Sequence, residues 1–107
     1  MARIVAVAPD LMFASRIEAT LAAAGHDVEL AGSVAEARDL ERTDLVVADL
    51  DREPPEAAVG TGVPVLGFYS HTNVKTRERA EAAGVDLVVP RSRMAREMPA
   101  LVERLLG

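Results

Sequence analysis

The segment 43–51 constrains the fold of this chain more than any other stretch. It contains an unbroken apolar run, residues 45–48, which stops at Asp49. A short apolar run between polar residues is typical of a strand that is covered on both faces. An acid directly after such a strand lies at the carboxyl edge of a parallel sheet, where open α/β folds bind their ligands. Asp49 is therefore the first candidate for chemistry.

Apolar runs and helix signals alternate along the rest of the chain. The runs predict five strands, at residues 3–8, 27–31, 45–48, 65–68 and 87–89. Helical spacing and caps predict helices at 11–24, from Ser33 to about 42 and at 74–83, and a final helical region that starts at Ser92 and has its main helix at 100–106. Ser33 begins its helix because an acid three residues later completes a capping box. Pro99 fits the first position of the last helix.

Crossovers this short predict a parallel sheet with helices on both faces. We therefore expect one domain over residues 1–107, with a flavodoxin-like, doubly wound α/β fold and the strand order 2-1-3-4-5. The third helix is expected to be short or missing, because the segment 51–62 is rich in proline and glycine. In this order the switch point of the sheet lies beside Asp10 and Asp49.

Composition excludes several classes of function. The net charge of −5 argues against nucleic-acid binding, which needs a basic surface. The absence of cysteine excludes disulfides, thiol catalysis and Cys-ligated zinc. No apolar run approaches the ~20 residues of a membrane span, and the N-terminal run is too short for a signal peptide. These features predict a cytoplasmic protein that binds neither nucleic acid nor membrane.

Three segments match one known pattern in their order and spacing: TDLVVADL at 43–50, VPVL at 63–66 and AAGVDLVV at 82–89. Through them, the chain resembles the receiver domain of two-component response regulators over essentially its whole length. The resemblance implies that Asp49 stands at the phosphoacceptor position and Arg91 at the position of the family's invariant lysine. It also implies a signalling module rather than an enzyme, and no base–nucleophile pair is visible.

The residues that hold Mg²⁺ in the family are absent. Two adjacent acids end the first strand in the family, whereas this chain has Ala8 and Pro9 there and Asp10 one residue later. Mg²⁺ typically takes one or two carboxylates together with phosphate oxygens. Asp10 and Asp49 are thus weak candidate ligands, and we predict that Asp10 caps the first helix instead. We expect no resident metal or cofactor.

The family's hydroxyl residue after the fourth strand falls on Tyr69, with Ser70 next, and a one-residue bulge would exchange them. The family's switch aromatic falls on Val88, so the usual switch is not built here. Tyr69 is interpreted as half-buried with its hydroxyl in water. The alternatives are that it covers the pocket or presents a surface for a partner. His71, close by, is a candidate pH sensor.

Arg91 is not equivalent to the lysine it replaces. Its guanidinium is planar, permanently charged and suited to a bidentate grip on a carboxylate. We predict that it pairs with Asp49, stabilises the ionised acid and occupies its oxygens. The alternative is that Arg91 and Arg93 together hold a phosphate or another anion.

These features give the hypothesis of an atypical receiver-like module that acts by protein–protein contact without conventional Mg²⁺-dependent phosphorylation. One alternative is a receiver that is phosphorylated on Asp49. Another is a small-ligand or nucleotide-binding domain with its site above Asp10, Asp49 and Ser70. The resemblance implies a partner or homodimer surface on the fourth helix, fifth strand and fifth helix. The predicted surface comprises Val74, Arg77, Glu81, Arg91, Met94, Arg96 and Glu103.

Overall fold

One parallel sheet organises the computed structural model, which describes residues 2–70 and 72–107. Its strands are β1 (Arg3–Val7), β2 (Asp27–Ala31), β3 (Leu45–Asp49), β4 (Val65–Tyr69) and β5 (Leu87–Pro90). They lie in the order β2-β1-β3-β4-β5, which confirms the predicted order. His71 lies outside the described residues.

Helices cover both faces of the sheet. They are α1 (Leu11–Ala23), α2 (Pro55–Val59), α3 (Val74–Ala83) and α4 (Arg91–Leu106). Ile4 and Val47 face the core shared with α1 and α4, whereas Val5 and Val46 face the core shared with α2 and α3. Every residue of β3 is buried, since successive side chains point to opposite faces and both faces are covered. This explains why its sequence is continuously apolar up to its final acid.

The segment 33–42 is not the predicted α-helix. It forms two 3₁₀ turns, Val34–Glu36 and Leu40–Arg42. Between them, Asp39 has a φ of 50°, which an α-helix does not accommodate. The side chain of Ser33 caps no backbone N–H, so the capping box predicted from sequence is not formed.

Side chains from outside the segment satisfy its backbone donors. The Val34 N–H donates to the Glu53 carboxylate at 3.1 Å, and the Arg38 N–H donates to the Glu29 carboxylate at 3.0 Å. An exposed helix start depends on local caps for its free N–H groups. Here the buried Glu53 and the half-buried Glu29 provide long-range acceptors instead, so the irregular backbone is stable without a helix.

The remaining helices follow the sequence more closely. The third helix of the predicted series is the five-residue α2, so the expectation of a short helix is confirmed. Helix α4 begins at Arg91, one residue before the predicted start of the final helical region. Glu97 has non-helical angles (φ −121°, ψ 17°) two residues before Pro99. Pro99 thus lies just after a kink, because its ring conflicts with a continuous helix on its N-terminal side.

Candidate functional site

Three charged side chains meet at the carboxyl edge of the sheet. Asp49 is the last residue of β3, Asp10 immediately precedes α1, and Arg91 is the first residue of α4. The edge brings them together because parallel strands all end on the same side. The Asp49 side chain is only 3% exposed, whereas those of Arg91 and Asp10 are 34% and 49% exposed. Asp49 therefore forms the floor of the site.

Arg91 connects the two acids. Its Nη2 donates to Asp10 Oδ2 at 2.9 Å, and its Nη1 lies 3.6 Å from Asp49 Oδ2. The predicted pair with Asp49 is thus present. The guanidinium reaches one oxygen of each acid rather than gripping Asp49 alone.

Two aromatic rings hold the guanidinium in place. The Arg91 Cζ lies 4.4 Å from the ring centroid of Phe13 and 5.6 Å from that of Phe68. The two rings contact each other, with centroids 5.0 Å apart. Cation–π contacts of this kind contribute roughly 0.5–1 kcal/mol at partly exposed sites. Nothing in the sequence analysis pointed to this role of Phe13, although it is one of only three aromatic residues in the chain.

Asp10 is the N-cap of α1, as predicted. Its Oδ1 accepts hydrogen bonds from the N–H groups of Met12 at 3.1 Å and Phe13 at 3.4 Å. Its Oδ2 accepts the bond from Arg91. Both carboxylate oxygens therefore have protein donors, and the carboxylate does not point as a free ligand into the site.

Burial dominates the proton affinity of Asp49. Desolvation raises the pKa of this carboxyl. Two features oppose the rise: a hydrogen bond from the Asp51 N–H to Asp49 Oδ1 at 3.0 Å, and the positive charge of Arg91. We predicted that Arg91 would stabilise the ionised form. Arg91 does act in that direction, but burial outweighs it and the net pKa is raised.

We expect Asp49→Asn to stabilise the protein at neutral pH. An acid with a raised pKa binds its proton more tightly in the folded state, so its ionisation lowers stability as pH rises through the folded-state pKa. The gain amounts to about 1.4 kcal/mol for each unit by which the pKa is raised, and it disappears below the unfolded-state pKa. Urea denaturation across acid to neutral pH measures it, with the exposed Glu18→Gln as control. A less stable Asp49→Asn protein at neutral pH would contradict this account.

Ser70, rather than Tyr69, lines the site. Tyr69 is paired with Pro90 as the last residue of β4, and it is 5% exposed, so the half-buried interpretation is wrong. It points away from Phe68, because successive strand residues face opposite sides. Ser70 is the next residue and lines a recess of about 370 Å³ together with Phe13, Arg91, Ser92 and Ala95.

Asp51 holds the loop that carries Ser70, a role that sequence analysis missed. The Ser70 N–H donates to Asp51 Oδ2 at 2.7 Å, and Asn73 Nδ2 donates to Asp51 Oδ1 at 3.2 Å. The Ser70 hydroxyl is 3.2 Å from the hydroxyl of Thr72. The acid two residues after Asp49 thus holds both Ser70 and Asn73.

The residues at the site fit Mg²⁺ poorly. Ala8 and Pro9 present no side-chain oxygen, and both oxygens of Asp10 already accept protein hydrogen bonds. In the part of the chain that the structure describes, no group of three or more His, Asp or Glu side chains is placed to hold a metal ion. A cation near Asp49 would first have to displace Arg91.

The predicted partner surface is only partly exposed. Val74 is 50% exposed, but Met94 is fully buried in the core, so its assignment to that surface is wrong. Arg91 turns into the site, and Glu103 pairs with His26 near the end of α1 at 3.1 Å. Met94 is buried because α4 turns its apolar stripe toward β4 and β5. Within residues 2–70 and 72–107, no helix is long and apolar enough to cross a membrane.

No protein-family model and no curated protein matches the sequence. Solved structures do match. The non-phosphorylated receiver domain of HemR from Leptospira biflexa is 25% identical, with a TM-score of 0.81 over 100% of this chain and 95% of that chain. A CheY-like receiver domain from Methanospirillum hungatei is 18% identical, with a TM-score of 0.82 over 99% and 94% of the two chains.

NtrX from Brucella abortus, in complex with ADP, is 19% identical with a TM-score of 0.82. The match covers 98% of this chain and 27% of NtrX, so this chain spans about a quarter of that protein. The structural neighbours are response regulator receiver domains. The chain has the CheY-like receiver fold.

Proposed function

Since the chain has the receiver fold, we propose that it is a signalling module that acts by protein–protein contact and is not switched by conventional Mg²⁺-dependent phosphorylation. One observation carries this proposal: the Arg91 guanidinium bridges Asp10 and Asp49 at the carboxyl edge of the sheet. The bridge supplies from within the chain the positive charge that a bound metal ion would otherwise provide beside these carboxylates. In this proposal the module is not an enzyme and has no resident cofactor.

Phosphoryl transfer to Asp49 needs a reachable, ionised carboxylate. Asp49 is 3% exposed, and its Oδ1 and Oδ2 already face the Asp51 N–H and Arg91. Burial also raises its pKa, so its ionised form is less favoured than that of an exposed acid. These features all oppose attack on an incoming phosphoryl group.

Transfer also needs positive charge around the moving oxygens. In phosphoryl transfer, catalysis is mostly positioning and electrostatic stabilisation, to which metal ions contribute strongly. Here the nearest cation is Arg91, and Asp10 shares its charge. Two carboxylates largely neutralise the positive charge of this guanidinium, so it stabilises the charge on a transferred phosphoryl group only weakly.

One observation favours the alternative of a phosphorylated Asp49. Arg91 Nη1 lies 3.6 Å from Asp49 Oδ2, and the recess beside it opens to Ser70. A phosphoryl group on Asp49 would replace the single charge of the carboxylate with about two negative charges on the phosphoryl oxygens, and this would draw Arg91 away from Asp10. The two functions therefore differ in whether Asp49 accepts a phosphoryl group at all.

Intact-mass spectrometry distinguishes them. The protein is incubated with Mg²⁺ and a small acyl phosphate, beside Asp49→Ala and a receiver that has two acids at the end of its first strand. We expect an adduct only on that conventional receiver. An adduct on this chain that is lost in Asp49→Ala would overturn the proposal and establish the alternative. Circular dichroism of each sample confirms that the proteins are folded.

A further inference from the structure

The outer strand β2 presents unpaired backbone groups along one edge of the sheet. Within the described residues it pairs only with β1. The Asp27 N–H donates to Ala2 O at 2.9 Å, and Ala31 O accepts from the Ala8 N–H at 3.3 Å. In a parallel ladder, alternate residues bond to the same neighbour. The peptide groups of Val28 and Leu30 therefore point outward, away from β1.

The irregular segment 33–42 leaves this edge open on one side of the sheet. Its two 3₁₀ turns replace the helix that the sequence predicted. Between the segment and β2 lies a recess of about 600 Å³, lined by β2 and by Glu36, Arg38 and Asp39. A partner strand beside β2 would thus have room for the side chains that it directs toward this recess.

The recess is acidic. Four acids line it, against two arginines. Arg3 contacts Glu29 and lies 3.7 Å from Asp27, so these two acids already neutralise most of its charge. The Asp27 side chain is nevertheless 71% exposed. Glu36 and Asp39 are also exposed. The surplus negative charge favours basic side chains on an occupant.

The other side of the same edge is apolar. Leu30 is 38% exposed, and Val28 is partly buried against the core beneath α1. Strand alternation places both on the side opposite Glu29. An extended segment that lies along β2 would therefore meet acids on one side and Leu30 on the other.

We propose that β2 and its recess bind an extended segment of a partner protein, in which basic and apolar residues alternate, as an added strand. Backbone hydrogen bonds to Val28 and Leu30 would provide affinity, and Asp27 and Glu36 would select basic side chains. A second copy of this chain is the weaker occupant. Pairing of two β2 strands would bring the acidic recesses together, and like charges across strands are destabilising.

This inference rests on the proposed function, because it assigns to β2 the protein–protein contact through which the module is proposed to act. Its test is separate. The mass measurement concerns Asp49 at the carboxyl edge of the sheet, whereas a binding measurement with β2 variants concerns an outer strand. A failure of one therefore does not produce a failure of the other.

Fluorescence anisotropy with a short, labelled peptide of alternating lysine and valine tests the site. A second peptide has the same sequence with N-methyl groups on alternate residues of one edge, which removes its strand hydrogen bonds but not its charge. We expect the first peptide to bind saturably. The second peptide should bind with an affinity that is lower by roughly tenfold or more. Backbone amide NMR shifts should be centred on residues 27–31.

Matched charge variants separate the recess from general attraction to an acidic protein. Asp27→Asn with Glu36→Gln should weaken binding roughly five- to tenfold. The control pair Glu18→Gln with Glu78→Gln removes the same charge from exposed positions on α1 and α3. It should change the affinity for the peptide little. Equal binding of both peptides, equal effects of both variant pairs, or a dimer formed through β2 would each overturn the proposal.

Discussion

Arg91→Met is expected to lower the free energy of unfolding by about 2 kcal/mol at neutral pH. Removing one partner of a fully buried ion pair costs about 3–5 kcal/mol, and the partial exposure of Arg91 reduces this figure. The variant leaves the buried Asp49 without its cation and Asp10 without its side-chain donor. Methionine retains apolar contact with Phe13 but loses the cation–π attraction.

The loss should depend on pH with a definite sign. Without Arg91, the pKa of Asp49 rises further, since the coulombic influence that lowers it is gone. The added penalty falls on the ionised folded state, so it is present above the folded-state pKa and vanishes below the unfolded-state pKa. The difference between parent and variant in urea denaturation should therefore shrink from neutral to acid pH.

Two further variants make this test specific. Arg93→Met removes an arginine from the same helix whose partner, Glu97, is on the surface, and it should cost much less stability than Arg91→Met because exposed ion pairs contribute little. Adding Asp49→Asn to Arg91→Met should recover most of the lost stability, because no buried charge then remains unpaired. A pH-independent loss, or no recovery in the double variant, would show that Arg91 stabilises the fold in another way.

Gly67→Ala is expected to destabilise the protein by about 1–3 kcal/mol. Gly67 lies in the middle of β4, between the buried Leu66 and Phe68. A Cβ built on Gly67 would lie 2.9 Å from Leu50 Cγ and closer still to one of its methyl groups. Leu50 is 4% exposed in a packed core, so it has little space into which to move.

A coupled variant identifies the cause of this loss. Gly67→Ala with Leu50→Ala should cost less than the sum of the two single changes, since the clash is removed when the leucine is shortened. Gly32→Ala is the control, because its added methyl group would meet only the Glu36 side chain, at 3.3 Å. Thermal denaturation compares these four variants with the parent protein. Additive losses would show that overpacking against Leu50 is not the reason.

The sequence predicted those features that depend on local pattern. Alternating strands and short crossovers led to the order 2-1-3-4-5, because parallel strands joined by short helices have few arrangements. The apolar run that ends at Asp49 placed this acid at the carboxyl edge of the sheet. The position of Asp10 directly before α1 predicted its role as a cap.

The tertiary structure decided those features that depend on distant side chains. Glu29 and Glu53 supply acceptors that replace a helix at 33–42, although the local caps favoured one. The packing of α4 buries Met94, which periodicity alone did not orient. Arg91 divides its guanidinium between Asp10 and Asp49, whereas sequence analysis paired it with Asp49 alone. Whether Arg91 reaches both acids depends on the distances between α4, β3 and the start of α1. These elements are far apart in the chain, so the distances are set only when the sheet and helices have packed.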